Sequence, residues 1–98
     1  MVGSGQAAAT LTVRRGPGAG RRFDIGAPAI TIGRSEQCDF PVNDTWMSRQ
    51  HARIIWSGME YLVEDLGSTN GTYVNGERIQ WPRALKSGDL LQLGEQVE

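Results

Sequence analysis

Apolar residues in this chain recur at every second position in short runs and almost nowhere at helical spacing. That pattern restricts the fold more than any other feature, because side chains alternate between two faces on a strand and sweep round in 3.6-residue turns on a helix. Residues 10–14 set Leu11 and Val13 on one face against Thr10, Thr12 and Arg14 on the other. Phe23 and Ile25 alternate with Arg22 and Asp24, and Ile30 and Ile32 repeat the pattern before Gly33. Further strands are expected at 40–42, 49–56, 61–66, 72–74, 77–79 and 90–93, each bounded by Gly, Pro, Asn, Asp or Ser. Short alternating strands separated by turn signals predict an all-β, two-sheet antiparallel β-sandwich of about ten to eleven strands.

With 98 residues the chain suits one domain. Residues 1–9 read as a flexible N-terminal segment with the look of added expression-vector residues, and 10–98 as the folded domain. The net charge of -1 argues against a general nucleic-acid or membrane binder. No apolar run reaches the length of a membrane span, and the N-terminus lacks the pattern of a secretory signal. A single Cys, Cys38, allows no internal disulfide and fits a reducing, cytoplasmic or otherwise intracellular setting. One Cys and one His fall short of the usual zinc ligand sets, and no metal or cofactor is expected. The Gly-rich stretch at 16–20 lacks the Lys-Ser/Thr and the helix of a phosphate-binding P-loop, so it reads as a hairpin turn.

Four polar clusters remain: Gly33-Arg34-Ser35, Ser48-Arg49-Gln50-His51, Ser68-Thr69-Asn70-Gly71 and Val74-Asn75-Gly76. The first three fall where strands meet loops, and loops at one end of a sandwich gather in space. Together they offer the planar charge of Arg34, the hydroxyls of Ser48 and Thr69, a second cation at Arg49, and an amide at Asn70 that both donates and accepts. That set suits a phosphorylated side chain on an extended peptide, which brings a charge of about -1.5 to -2 and three acceptor oxygens. Each residue alone has a plainer reading. An isolated surface Arg is ordinarily a solvated charge, and Ser48 serves equally as a turn former. Asn75-Gly76 has strand-like flanks and matches a two-residue hairpin turn. Asn70-Gly71 lacks such flanks and reads equally as turn or outward-facing site. Ser48 with His51 raises a hydrolase as a remote alternative. The chain lacks a G-x-S-x-G elbow, however, and His51 is better placed to brace the Ser48 loop through a backbone hydrogen bond.

In this order, G-R-S, S-R-Q-H, S-T-N-G-T-Y-V-N-G and L-K-S-G-D-L-L-Q-L-G closely resemble the forkhead-associated (FHA) domain, over nearly the whole chain from about Leu11. The resemblance implies a non-catalytic module that binds a phosphothreonine-containing protein or peptide and recruits it in Ser/Thr kinase signalling. A phospho-independent scaffold of the same fold is the alternative. It implies that Arg34 and Ser48 contact the phosphate with help from Arg49 and Thr69, and that Asn70 holds the peptide backbone. Gly33, His51, Gly71, Asn75 and Gly76 would be architectural. Flanking preference would come from loops 35–39, 43–47 and 66–68. Acidic Glu36 and Asp39 there point to a basic peptide residue, while Trp46 and Met47 read equally as exposed contacts or as core. Members of the family usually end with one more strand beside the first. The chain ends at Gln96-Val97-Glu98, where that strand would start, so an open edge and edge-mediated self-association of an otherwise monomeric domain are expected.

Overall fold

A computed structural model describes residues 9–16, 18–26, 28–94 and 97. Ten strands are formed and no helix among the described residues: β1 (Ala9–Thr12), β2 (Arg22–Ile25), β3 (Ala29–Gly33), β4 (Phe40–Pro41), β5 (Ala52–Trp56), β6 (Tyr61–Asp65), β7 (Thr72–Val74), β8 (Glu77–Arg78), β9 (Arg83–Leu85) and β10 (Leu91–Leu93). Their ladders make a five-stranded sheet in the order β4-β3-β5-β6-β9, a three-stranded sheet β10-β7-β8, and the β1-β2 hairpin.

The period-two pattern sets the core. On β5 the side chains of Ala52 and Ile54 are fully buried, and the intervening Arg53 points outward to pair with Glu64 of β6. Ile30, Ile32 and Val63 extend this apolar face across the five-stranded sheet. Ile25 of β2, Val74 of β7 and Leu93 of β10 join the same cluster, so all three ladders close on one core as a sandwich. Phe23 of β2 stacks on Phe40 of β4 with ring centroids 4.9 Å apart. Arg21 lies 4.9 Å over the Phe40 ring and donates from Nη1 to the Pro41 carbonyl at 2.9 Å.

The structure refines the expected architecture at several points. The pairing is antiparallel except between β3 and β4, which run parallel. Loop 34–39 carries the chain back alongside β3, held by Asp39, whose carboxylate accepts from the Thr31 amide at 2.9 Å and from Thr31 Oγ1. The run expected at 49–56 becomes a strand only from Ala52; ahead of it the Ser48 and Arg49 carbonyls accept from the Arg34 and Ser35 amides of the loop after β3. Strand β9 was absent from the sequence reading, and β1 begins one residue early, at Ala9. Residues 1–8, which make up the rest of the expected N-terminal segment, lie outside the described residues, as do Gln96 and Glu98 of the expected final strand. Val97 is described, and it is buried and bridged to Leu93.

Asn75-Gly76 forms the hairpin turn between β7 and β8. Asn75 has φ 51° and Gly76 φ 87°, the left-handed pair that matches the twist of the flanking strands. Asn75 does more than turn the chain. Its Oδ1 accepts from the Leu90 amide at 2.9 Å and its Nδ2 donates to Asp89 at 3.0 Å, which fastens the turn to the start of β10.

Candidate functional site

Three segments distant in sequence meet at one end of the sandwich. The first leaves β3 at Gly33. A Cβ on this residue would lie 2.1 Å from the Arg49 carbonyl oxygen and 2.8 Å from its carbon, so only glycine permits the approach. The approach lets the Arg34 amide donate to the Ser48 carbonyl at 3.0 Å and the Ser35 amide to the Arg49 carbonyl at 3.1 Å. Cys38 Sγ also donates to the Arg49 carbonyl, at 3.1 Å. The exposed guanidinium of Arg34 spends its Nε on the Met47 carbonyl at 3.1 Å, which fixes its plane and leaves both Nη groups to face a ligand.

The second segment, 43–51, is folded by Asp44 and His51. Buried Asp44 accepts from the Trp46 amide through Oδ1 at 2.8 Å and from the Met47 amide through its carbonyl at 3.0 Å. His51, 0% exposed, accepts the Ser48 amide on Nδ1 at 3.2 Å. That contact sets the tautomer with its proton on Nε2, which donates to the Gly71 carbonyl at 2.7 Å. One neutral imidazole thereby couples the Ser48 loop to the Asn70-Gly71 loop. The expected brace is present and reaches two loops.

The third segment, 66–71, contributes Thr69 and Asn70. The Thr69 amide donates to Ser48 Oγ at 3.1 Å, so the Ser48 hydroxyl keeps its own proton to donate elsewhere. Asn70 donates from Nδ2 to the Trp46 carbonyl at 2.7 Å, leaving its Oδ1 as an acceptor. Asn70 is not among the residues with positive φ, so Asn70-Gly71 differs from the Asn75-Gly76 turn it resembles in letters.

Sequence reasoning missed the organiser of this third loop. Asp65, at the end of β6, accepts from Ser68 Oγ, from the amides of Ser68 at 3.0 Å and Gly67 at 3.1 Å, and from Thr72 Oγ1 at 2.7 Å. Ser68 Oγ in turn accepts from the Gly71 amide at 3.0 Å. Burial raises the Asp65 carboxyl. Hydrogen bonds from the Ser68 hydroxyl, the Thr72 hydroxyl and the Ser68 amide outweigh that effect and hold it below the usual carboxylate value. The available signal is Asp65 two residues ahead of Gly67-Ser68, the pattern of a side chain capping its own turn.

Arg34, Ser48, Thr69 and Asn70 thus belong to one hydrogen-bonded cluster. Arg49 joins through its backbone, and its side chain is exposed without a partner among the described residues. No group of His, Cys, Asp and Glu among the described residues could hold a metal ion. Trp46 and Met47 divide between the two readings open to them: Met47 is 2% exposed in the core, Trp46 52% exposed. Asp39 is exposed and binds Thr31 through one carboxylate oxygen, Oδ2.

An all-β sandwich with three loops tied into a polar, cationic cluster at one end has the form of a ligand-binding module. The family profile of the FHA domain matches residues 30–94, and the chain belongs to that family. The glycogen accumulation regulator GarA of Mycolicibacterium smegmatis is 42% identical over 87 residues, covering 89% of this chain and 54% of that protein. The chain therefore spans about half the length of that curated relative. Mycobacterium tuberculosis EmbR, solved in complex with a low-affinity phosphopeptide, is 34% identical with a TM-score of 0.85, covering 94% of this chain and 24% of that one. Another chain, solved in an analysis of phosphothreonine-dependent FHA domain interactions, is 34% identical with a TM-score of 0.80, covering 93% of this chain and 92% of that one.

Proposed function

We propose that this chain is a non-catalytic, intracellular module that binds phosphothreonine in an extended peptide and so recruits a phosphorylated partner of Ser/Thr kinase signalling. The observation that carries this reading is the convergence of Arg34, Ser48 and Thr69 through direct bonds between their loops: Arg34 amide to Ser48 carbonyl at 3.0 Å, and Thr69 amide to Ser48 Oγ at 3.1 Å. The Nη groups of Arg34, the Ser48 and Thr69 hydroxyls and the Arg49 side chain supply donors for phosphate oxygens. Two guanidinium charges match a phosphate of about -1.5 to -2. Asn70, held by the Trp46 carbonyl, presents its amide to the peptide backbone.

Hydrolysis by Ser48 and His51 is disfavoured by the same geometry. Both imidazole nitrogens are engaged with backbone groups, Nδ1 with the Ser48 amide and Nε2 with the Gly71 carbonyl, so no base faces the hydroxyl.

The test is fluorescence anisotropy with matched phosphothreonine, phosphoserine and unphosphorylated peptides. Binding confined to phosphothreonine supports the reading. Equal binding of the unphosphorylated peptide would replace it with the scaffold alternative.

A further inference from the structure

We infer that Trp46 selects a large apolar side chain flanking the phosphothreonine, an inference that rests on the phosphothreonine reading above. Loop 43–48 carries two adjacent large apolar residues, and the core takes only Met47. Trp46 is left 52% exposed, although indole is among the most costly side chains to leave in water. The exposure is fixed by the backbone. The Trp46 amide is held by Asp44 Oδ1 at 2.8 Å, its carbonyl by Asn70 Nδ2 at 2.7 Å, and the next carbonyl, of Met47, by Arg34 Nε at 3.1 Å. The two groups assigned to peptide backbone and phosphate therefore grip the chain on either side of this indole. A peptide engaged by Asn70 passes beside it.

Exposure alone does not single Trp46 out, since Met59 is 89% exposed and Trp81 76% exposed. Of these three, only Trp46 is bonded through its backbone to a residue of the candidate site. An indole can take either an apolar group or a cation on its face. Arg34 and Arg49 stand in the same cluster and repel a peptide cation beside Trp46, and neither Glu36 nor Asp39 bonds to loop 43–48 among the described residues. The chemistry therefore favours Leu, Ile, Met or Phe over Lys or Arg.

The experiment compares phosphothreonine peptides carrying Leu, Ser or Lys at each flanking position in turn, with wild type and Trp46→Ser. At one position wild type should bind the Leu peptide about tenfold more tightly than the Ser peptide. Trp46→Ser should bring that ratio within about twofold, because it weakens the Leu peptide far more than the Ser peptide. In a Trp56→Phe/Trp81→Phe chain, whose one remaining tryptophan is Trp46, emission should shift to the blue when the Leu peptide binds and shift less with the Ser peptide. A ratio unaltered by Trp46→Ser, a Lys peptide bound most tightly, or emission indifferent to the flank would overturn the inference and leave the phosphothreonine reading intact. Absence of phosphate-dependent binding for every peptide would overturn both.

Discussion

Replacing His51 by Leu should detach the Ser48 loop from its neighbour at a cost that can be worked from its two hydrogen bonds. The imidazole is 0% exposed, and Leu fills a comparable volume, so the cavity contribution is small. What is lost is an acceptor and a donor. The part-buried Ser48 amide, held by Nδ1 at 3.2 Å, has no second partner among the described residues and is left an unsatisfied donor, costing about 1–3 kcal/mol. The Gly71 carbonyl loses Nε2 but keeps the Gly94 amide at 2.8 Å, so this side costs only about 1 kcal/mol. The sum, about 2–4 kcal/mol, is a large share of the ~5–15 kcal/mol that holds a typical domain together. Its lower bound corresponds to a fall in Tm of about 8–16 °C. Urea unfolding followed by circular dichroism measures the loss, and hydrogen exchange at the Ser48 amide locates it. A loss under about 1 kcal/mol, or unchanged protection of that amide, would refute the idea that His51 joins the two loops.

Three further outcomes follow from the same geometry. Gly33→Ala sets a methyl 2.1 Å from the Arg49 carbonyl oxygen, a backbone clash that should cost about 3 kcal/mol or more and weaken phosphopeptide binding; wild-type stability by urea titration would contradict it. Asn75→Ala should cost about 2–3 kcal/mol through the left-handed φ and the lost bonds to Asp89 and Leu90, with Asn75→Gly costing less, and neither should change peptide affinity; weakened binding in a folded variant would move Asn75 from the frame to the site. Asp65 has a folded-state pKa lowered below its unfolded value, so its contribution is present above the ordinary carboxylate range and is lost as pH falls through the folded value. Unfolding curves measured downward from about pH 5 should therefore decline less steeply for Asp65→Asn than for wild type, and parallel curves would sink the assignment.

What the sequence makes legible here is mostly local. The strands of the core announce themselves because Ile30 and Ile32 alternate about Thr31, and Ala52 and Ile54 about Arg53, and Asn75-Gly76 is a turn whose dihedral needs are met by its own two residues. Strand β9 is not legible. Arg83-Ala84-Leu85 has no alternation of its own and becomes a strand by pairing with β6, in the register Tyr61↔Leu85 to Val63↔Arg83. The donor types of the site can be read from the letters, and family resemblance supplies their roles. Their organisation is a tertiary property. The letters after Asp65 signal a local turn, but not that its carboxylate will also take the Thr72 hydroxyl, or that the Asn70 amide will close on the Trp46 carbonyl. The split between buried Met47 and exposed Trp46 is likewise set by which residue faces the core across a loop, where no periodicity operates.

The measurement that bears most directly on the account is titration calorimetry of a phosphothreonine peptide and its unphosphorylated twin against wild type and Arg34→Ala. Arg34 is exposed and touches the fold through one side-chain bond to the Met47 carbonyl, so the variant should unfold close to wild type in urea. Loss of a guanidinium on phosphate should weaken the phosphothreonine peptide by about 10- to 100-fold and bring it near the unphosphorylated one. Unchanged affinity in a folded Arg34→Ala variant would contradict the assignment of this cluster as a phosphothreonine site.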